Sequence, residues 1–408
     1  MKNTPILLTW FHDYHTFKFV KDIIPVLLEA DYNVTLLTCD KTLKKQFEPL
    51  CNDKFKISYR PYLRPIMRLM DNKYLRPSIW LFGWVWSFLA TLRYAVVIAP
   101  RDTTPFYHMI TSWKPTLICR PALGFNDKTY IQHKFNPNIS FPDVMKFTRE
   151  KHGKTDSLFG GSFLKDVRGN KKLKYYTALG NLVAEFLQKL GTPKDHVFVT
   201  GNFSYEGLTP RTVKASEIEE KYFKDIDKDI YMFFSSQQYF GEAEIKSLHR
   251  IAEEISANNA YFVIKVHPKL DEKQLEKLEQ WVQTFFPQTV KIIHDLKGDY
   301  NNACLIALSK AVIIEESNVG ILAMHFDKPV IITDLGGKKD CEDNIFIFSG
   351  EILVCKNIEH LSEIIKSINI EENLNLIINT QQKFVRDVCF QSQSPCGHIP
   401  NILKEIVE

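Results

Sequence analysis

Tyr261-Phe-Val-Ile-Lys-Val-His-Pro268 is the stretch that decides the fold. Residues 261–266 are a β-branched and aromatic run, the composition of a buried strand. Proline cannot continue a central strand, so the strand stops at His267-Pro268. In an open parallel sheet the ligand crevice lies outside such carboxyl ends. Lys265 and His267 stand two residues apart and so point to the same side of the strand. A fixed cation beside an imidazole suits a phosphate. A turn histidine held by its neighbours would use the same residue types, so the pattern needs support from the rest of the chain.

That support comes from the segments on either side. Strands are expected at 230–234, 290–293, 311–314 and 330–333, with helices at 242–257, 271–286, 301–310 and 319–326. The alternation predicts a doubly wound parallel sheet. Asp271 with Gln274 has the spacing of a capping box. Five strand ends then carry polar residues on one edge: Ser235-Ser236-Gln237, Lys265 with His267, His294-Asp295, Glu315-Glu316-Ser317-Asn318, and Thr333-Asp334. Ser317 or Asn318 is expected to cap the helix that follows, where backbone N–H groups and the helix dipole favour an anion. Gly320 is expected to let a phosphate approach the backbone. Glu316 is placed to accept hydrogen bonds from a ribose or base. A plain N-cap would explain Ser317-Asn318 alone, but not its occurrence in the same half-sheet as Lys265-x-His267-Pro268.

The first half of the chain opens as a β-loop-α-β unit of Rossmann-like type. A strand is expected at 5–9, a polar loop at 10–15, a helix at 16–30 kinked or broken by Pro25, and a strand at 34–38. No GxGxxG follows the first strand, so a dinucleotide fingerprint is absent. The loop carries His12 and Asp13, either of which suits a general base on an acceptor hydroxyl, or a cap on the helix. Residues 54–76 are basic and aromatic, and Ile79 opens an apolar run with three tryptophans at 80, 84 and 86. That run is shorter than the ~20 residues needed to span a bilayer. Tryptophans beside a basic segment fit seating on anionic lipid, while a core helix over 78–99 is the other reading. Further strands are expected at 116–120, 130–133 and 196–202. Residues 134–172 read as a long polar loop region, and 175–190 as a helix closed by Gly191.

Length and charge set the frame. The 408 residues suggest two domains. Residues 1–200 hold 30 Lys+Arg against 16 Asp+Glu, a balance of +14, and residues 201–408 hold 22 against 32, a balance of −10. The split predicts a domain over 1–200, a second over 201–385, and a tail, 386–408, packing back on the first. The basic half is expected to meet something anionic, such as a membrane surface or an acidic acceptor. No nucleic-acid-binding motif is visible, so nucleic acid is not an expected partner. Eight cysteines are scattered without a CxxC pair, as in a reduced cytosolic protein; Cys389 and Cys396 are close enough in sequence to pair, but free thiols are preferred. The opening residues are too short an apolar run for a signal peptide. The expected location is therefore the cytoplasm, with seating on the inner face of the membrane if residues 54–92 touch lipid.

Two segments, Val263-Ile-Lys-Val-His-Pro-Lys269 and Glu315-Glu-Ser-Asn-Val-Gly-Ile-Leu-Ala-Met-His-Phe-Asp-Lys-Pro-Val330, resemble the C-terminal domain of GT-B glycosyltransferases of bacterial surface and capsular polysaccharide synthesis. The nearest pattern is the Lys-x-His-Pro of capsule-type sialyl-, polysialyl- and Kdo transferases, and the resemblance extends over about 195–340. It implies an α/β GT-B fold: two facing Rossmann-like domains with parallel sheets and an interdomain cleft, the second holding a nucleotide-sugar donor and the first an acceptor. A CMP-sugar is the favoured donor, with UDP- and CDP-linked sugars as alternatives. The chain has Glu-Glu-Ser-Asn where Ser-Ser or Ser-Thr is frequent in the sialyl-type enzymes. Carried over by position, Lys265, His267 and Pro268 hold the donor phosphate with Ser317 and Asn318. Glu316 meets ribose or base, and Ser235, Ser236 and Gln237 line the donor site. His267 also serves the chemistry; the base, Asp13 or His12, is read from its place in the loop after the first strand and not from the resemblance. The resemblance implies neither metal nor other cofactor, and a glycan or lipid-linked acceptor. A sugar-nucleotide 2-epimerase of the same fold and a non-catalytic nucleotide- or glycan-binding subunit remain as alternatives.

Overall fold

The computed structural model describes residues 3–10, 17–69, 76–100, 109–119, 125–135, 173–223, 227–235, 239–315, 317–333, 345–346, 353–355, 358–389, 392 and 394–408. The chain divides into two compact units, Met1–Glu206 with Val388–Glu408, and Gly207–Asp387.

Among the described residues the first unit holds a seven-stranded sheet with every pairing parallel. Its strands are β1 Pro5–Thr9, β2 Asn33–Thr38, β3 Phe55–Tyr59, β4 Val96–Ala99, β5 Thr116–Ile118, β6 Lys174–Ala178 and β7 Val197–Val199, in the order β3-β2-β1-β4-β5-β6-β7. The central strands are buried along nearly their whole length, because helices cover both faces of a parallel sheet. The helices are α1 Phe17–Glu29, α2 Lys41–Phe47, α3 Leu63–Leu69, α4 Arg76–Thr91, α5 Phe125–Phe135 and α6 Asn181–Lys189. α1 runs through Pro25 without a break. Its buried face, Phe19, Val20, Ile23, Ile24 and Leu27, packs into the core and outweighs the one backbone bond that proline removes. Asp40 caps α2, its carboxylate accepting from the Thr42 and Leu43 N–H groups at 2.7 and 3.0 Å.

The C-terminal helix, Ile399–Val407, belongs to this unit. Ile399, Ile402, Leu403 and Ile406 enter the same core as β1 and α1, and the Tyr32 hydroxyl donates to the Pro400 carbonyl at 3.2 Å. Both Glu206 carboxylate oxygens hold the returning segment: one accepts from Ser394 Oγ at 2.6 Å, the other from the Cys396 N–H at 2.7 Å. Cys389 and Cys396 are buried free thiols.

Three sequence expectations in this unit are corrected. Residues 130–133 lie in helix α5, where Tyr130 stacks on Phe186 of α6 with ring centroids 4.9 Å apart. The span 175–190 is two elements, since Lys-Tyr-Tyr-Thr-Ala pairs as β6 between β5 and β7 before α6 starts after Gly180. The span 78–99 is also two elements: α4 stops at Thr91 and Val96–Ala99 is a central strand. A short apolar run fits a buried strand and a buried helix equally, and only its partners decide. Residues 55–59, within the basic segment, form β3 at the sheet edge. Gly191, by contrast, has φ +94° and closes α6 as expected, its N–H reaching the Gln188 carbonyl and that of Thr192 the Leu187 carbonyl.

Among the described residues the second unit holds a six-stranded parallel sheet of β8 Ile230–Phe234, β9 Tyr261–Lys265, β10 Val290–Ile293, β11 Ala311–Ile314, β12 Val330–Thr333 and β13 Val354–Cys355, ordered β10-β9-β8-β11-β12-β13. Its helices are α7 Ser216–Phe223, α8 Glu242–Ala257, α9 Glu272–Phe285, α10 Asp299–Leu308, α11 Val319–His325, α12 Ile358–Ile368 and α13 Glu371–Val388; the C-terminal helix is α14. Phe262, Ile264 and Val266 pack with Tyr231, Phe233, Ile313 and Ile331 on one face, against Leu248, Ile251 and Ile255 of α8. Asp271 caps α9 through the Gln274 N–H at 2.9 Å. The Gln274 side chain does not return the bond; its oxygen accepts from the Phe240 N–H at 2.9 Å and ties the β8–α8 connection to α9.

Candidate functional site

In the second unit the strand order reverses between β8 and β11, the topological switch point at which open α/β sheets bind ligands. Register sets what stands there. Lys265 pairs with Ile293 of β10 and Phe234 of β8, and Phe234 pairs with Ile314 of β11. The carboxyl ends of β9, β8 and β11 are therefore level, with β9 and β11 about 10 Å apart at ~4.8 Å per strand. Ser235 follows β8, Lys265 ends β9, and Glu315 and Ser317 follow β11.

Lys265 is the least expected of these groups in a folded interior. It is 4 % exposed, and its ammonium donates to the Val266 carbonyl at 3.0 Å. Burial pushes its pKa down to about 8, and the Asp295 carboxylate only partly offsets this while Lys297 adds to it. One of its three N–H donors is used by that carbonyl. His267 is half-buried, and its Nδ1 accepts from the Lys269 N–H at 3.1 Å. The neutral ring therefore carries its proton on Nε2 and is a donor there. Pro268 is exposed. Ser235 is buried, with its N–H bonded to the Lys265 carbonyl at 3.0 Å, which fixes the two strand ends together.

At β11 the first of the two expected caps forms. Ser317, half-buried, does the capping: its Oγ accepts from the Val319 N–H at 3.3 Å, which leaves its own O–H to donate. Asn318 makes no side-chain cap. The Gly320 N–H bonds the Ser317 carbonyl at 3.0 Å and the Ile321 N–H the Asn318 carbonyl at 3.1 Å, so the first turn of α11 satisfies its own donors. The missing Cβ of Gly320 faces packed side chains. A Cβ there would stand 2.6 Å from Ile314 Cδ1 and 3.1 Å from Phe346 Cε1. Glu315 is buried beside this turn. Ser236, Gln237 and Glu316 lie outside the described residues, as do His12 and Asp13, which fall between the end of β1 at Thr9 and the start of α1 at Phe17. β1 stands where the strand order of the first unit reverses.

One cluster escaped the sequence. Asp295, after β10, accepts from Lys221 at 2.9 Å and from the Tyr222 hydroxyl, both on α7. These two donors hold its carboxyl down at about 2, so it faces Lys265 as a fixed negative charge. Nothing in the acidic run preceding Lys221 marks it as a partner of a strand end seventy residues away. Among the described residues no three His, Cys, Asp or Glu side chains are grouped to hold a metal ion. No helix among them is long and apolar enough to cross a membrane.

The arrangement gathers one buried cation, one imidazole N–H and serine hydroxyls at level strand ends, a set of donors that can receive an anionic group. Residues 227–336 match the family described as capsule polysaccharide biosynthesis protein. No curated protein matches the chain by sequence. Among solved structures, a glycosyltransferase from Rickettsia africae ESF-5 is similar at a TM-score of 0.59 and 14 % identity, with 100 % of both chains covered. The UDP-GlcNAc 2-epimerase of Neisseria meningitidis, bound to UDP-GlcNAc, is similar at 0.59 and 14 %, with 99 % of both covered. Anabaena Alr3699/HepE, in complex with UDP and glucose, is similar at 0.51 and 12 %, with 98 % of this chain and 100 % of that one covered. The fold is that of GT-B enzymes, two parallel-sheet α/β units.

Proposed function

We propose that this chain is a glycosyltransferase of surface-polysaccharide synthesis that holds a nucleotide-sugar donor at the β8/β9/β11 strand ends. The observation that carries the reading is the buried Lys265, a cation that Asp295 compensates only in part, kept at the switch point at a cost in stability. A donor phosphate would give that ammonium its counter-charge, with His267 Nε2–H and the Ser317 hydroxyl as further donors. The family match over 227–336 supports the biosynthetic setting.

In an inverting transfer a base takes the acceptor hydroxyl proton and the oxygen attacks the anomeric carbon. The bond to the phosphate oxygen breaks, and its electron pair leaves on the nucleotide. Lys265 and His267 meet that charge, Asp13 or His12 is the base, and no metal is required. The acceptor is a glycan or lipid-linked sugar.

The test is transfer of labelled sugar from CMP-, UDP- and CDP-sugars to a capsule or lipopolysaccharide acceptor. The Lys-x-His-Pro pattern favours CMP, and the UDP ligands of the fold neighbours favour UDP. One donor is expected to serve, with activity unchanged by a chelator and roughly a hundredfold lower in His267→Ala. No transfer from any donor overturns the proposal. A 2-epimerase is the second reading, favoured by an epimerase neighbour as similar as the glycosyltransferase one. It releases an epimerised sugar with no acceptor present.

A further inference from the structure

Helix α4 is built inside out. Gly83, Ser87 and Thr91, one line at i, i+4 and i+8, are buried, while Leu81, Phe82, Val85, Phe88, Leu89 and Leu92 face outward. Leu81 is 69 % exposed and Leu89 60 %. The inward line is small and polar. Ser87 Oγ has no hydrogen-bond partner among the described residues, and Thr91 Oγ1 bonds back to the Ser87 carbonyl at 2.9 Å. A surface helix of a globular protein normally shows the reverse arrangement. Aromatic side chains widen the patch. Trp113, itself exposed, meets Trp84 and Phe88 edge-on at 5.1 Å, and Trp86 Nε1 donates to the exposed Tyr62 hydroxyl at 3.2 Å.

The sequence on either side of this helix is charged with one sign. Residues 54–119 contain ten Lys and Arg against Asp71 and Asp102 alone, and Arg60, Arg64 and Arg93 are exposed. A protein partner's apolar groove would explain the leucines but not the basic margin. An apolar helix face with tryptophans and arginines at its borders fits the headgroup boundary of an anionic bilayer, where the helix lies in the plane rather than across it. We propose that α4, with Trp113 and the flanking arginines, docks the first unit on an anionic phospholipid surface. The proposal is independent of the donor site.

Flotation of the full chain with lipid vesicles tests it. The wild type is expected to float with vesicles of equimolar phosphatidylglycerol and phosphatidylcholine, to be released by salt, and to stay unbound with phosphatidylcholine alone. Its tryptophan fluorescence is expected to fall when the acyl chains are brominated. Leu81→Glu with Leu89→Glu, two exposed positions whose charge leaves the melting curve in place, is expected to weaken binding roughly tenfold or more. Leu376→Glu, an equally exposed leucine of the second unit, is expected to bind as wild type. Three results overturn the proposal: equal binding to both vesicle types or to neither, an undiminished double variant, or a lipid-free dimer that the double variant splits, which assigns the face to a second copy.

Discussion

Replacing Lys265 by methionine should stabilise the empty protein while abolishing its affinity for the donor. The ammonium is buried, and its pKa stands at about 8 against 10.5 for a free lysine. Two and a half units at ~1.36 kcal/mol each put the cost of keeping it charged at roughly 3 kcal/mol. Methionine removes that cost but also the hydrogen bond to the Val266 carbonyl, worth about 1 kcal/mol. The net gain at pH 7 is therefore roughly 2 kcal/mol. Its sign with pH follows from the two pKa values. Below about 8 the lysine is protonated in both states and the full cost is present. Between about 8 and 10.5 the unfolded chain holds a proton that the native one has lost, so native stability rises with pH across that window. Calorimetric melting of wild type and Lys265→Met at pH 7 and pH 10 reads the difference, which should be several degrees at the lower pH and shrink at the higher. A variant less stable than wild type at pH 7, or a difference that ignores pH, would mean that the buried ammonium does not cost the native state stability.

Three further outcomes follow. Nucleotide affinity should fall as pH rises through about 8, because the ammonium that answers the phosphate is lost, and titration calorimetry across that range should show proton uptake on binding. His325, buried in α11, is held down to about 4 by burial against 6.5 when unfolded, so native stability should fall as pH drops through that window, by up to roughly 3 kcal/mol. His325→Leu should flatten the acid limb of a melting-temperature profile. Glu206→Ala removes the acceptor of two hydrogen bonds to the returning C-terminal segment, a loss of roughly 2–3 kcal/mol, and amide exchange over 396–407 should accelerate while the second unit is unchanged.

The second unit was more legible than the first for a physical reason. Its strands are separated by helices of full amphipathic length, such as α8 and α9, so the change of period marks each boundary. In the first unit two elements abut within one apolar run. Thr91 and Val96 are five residues apart with only Leu-Arg-Tyr-Ala and neither Gly nor Pro between them, and Lys174–Ala178 runs into Asn181 across Gly180. β13, two residues long, is defined only by its pairing with β12. At the site, Lys265, His267 and Ser317 were readable because strand ends and caps have residue signatures. At Gly320 the missing Cβ faces Ile314 and Phe346, a packing contact that the residue type alone does not announce. Asp295 with Lys221 and Tyr222 is likewise a tertiary pairing. The solvent-facing leucines of α4 were visible as apolar residues, but which side of the helix they occupy was settled by packing alone.

The most direct test of the central claim is a thermal-shift panel of CMP, CDP, UDP and GDP on wild type, Lys265→Met and His267→Ala. A nucleotide at a hundred times its Kd should stabilise the wild type by roughly 2.7 kcal/mol. One nucleotide of the panel should do so, Lys265→Met should melt higher than wild type without ligand and not respond to it, and His267→Ala should respond weakly. A nucleotide that stabilises all three proteins alike, or a panel that moves none of them, contradicts a donor site at the ends of β8, β9 and β11.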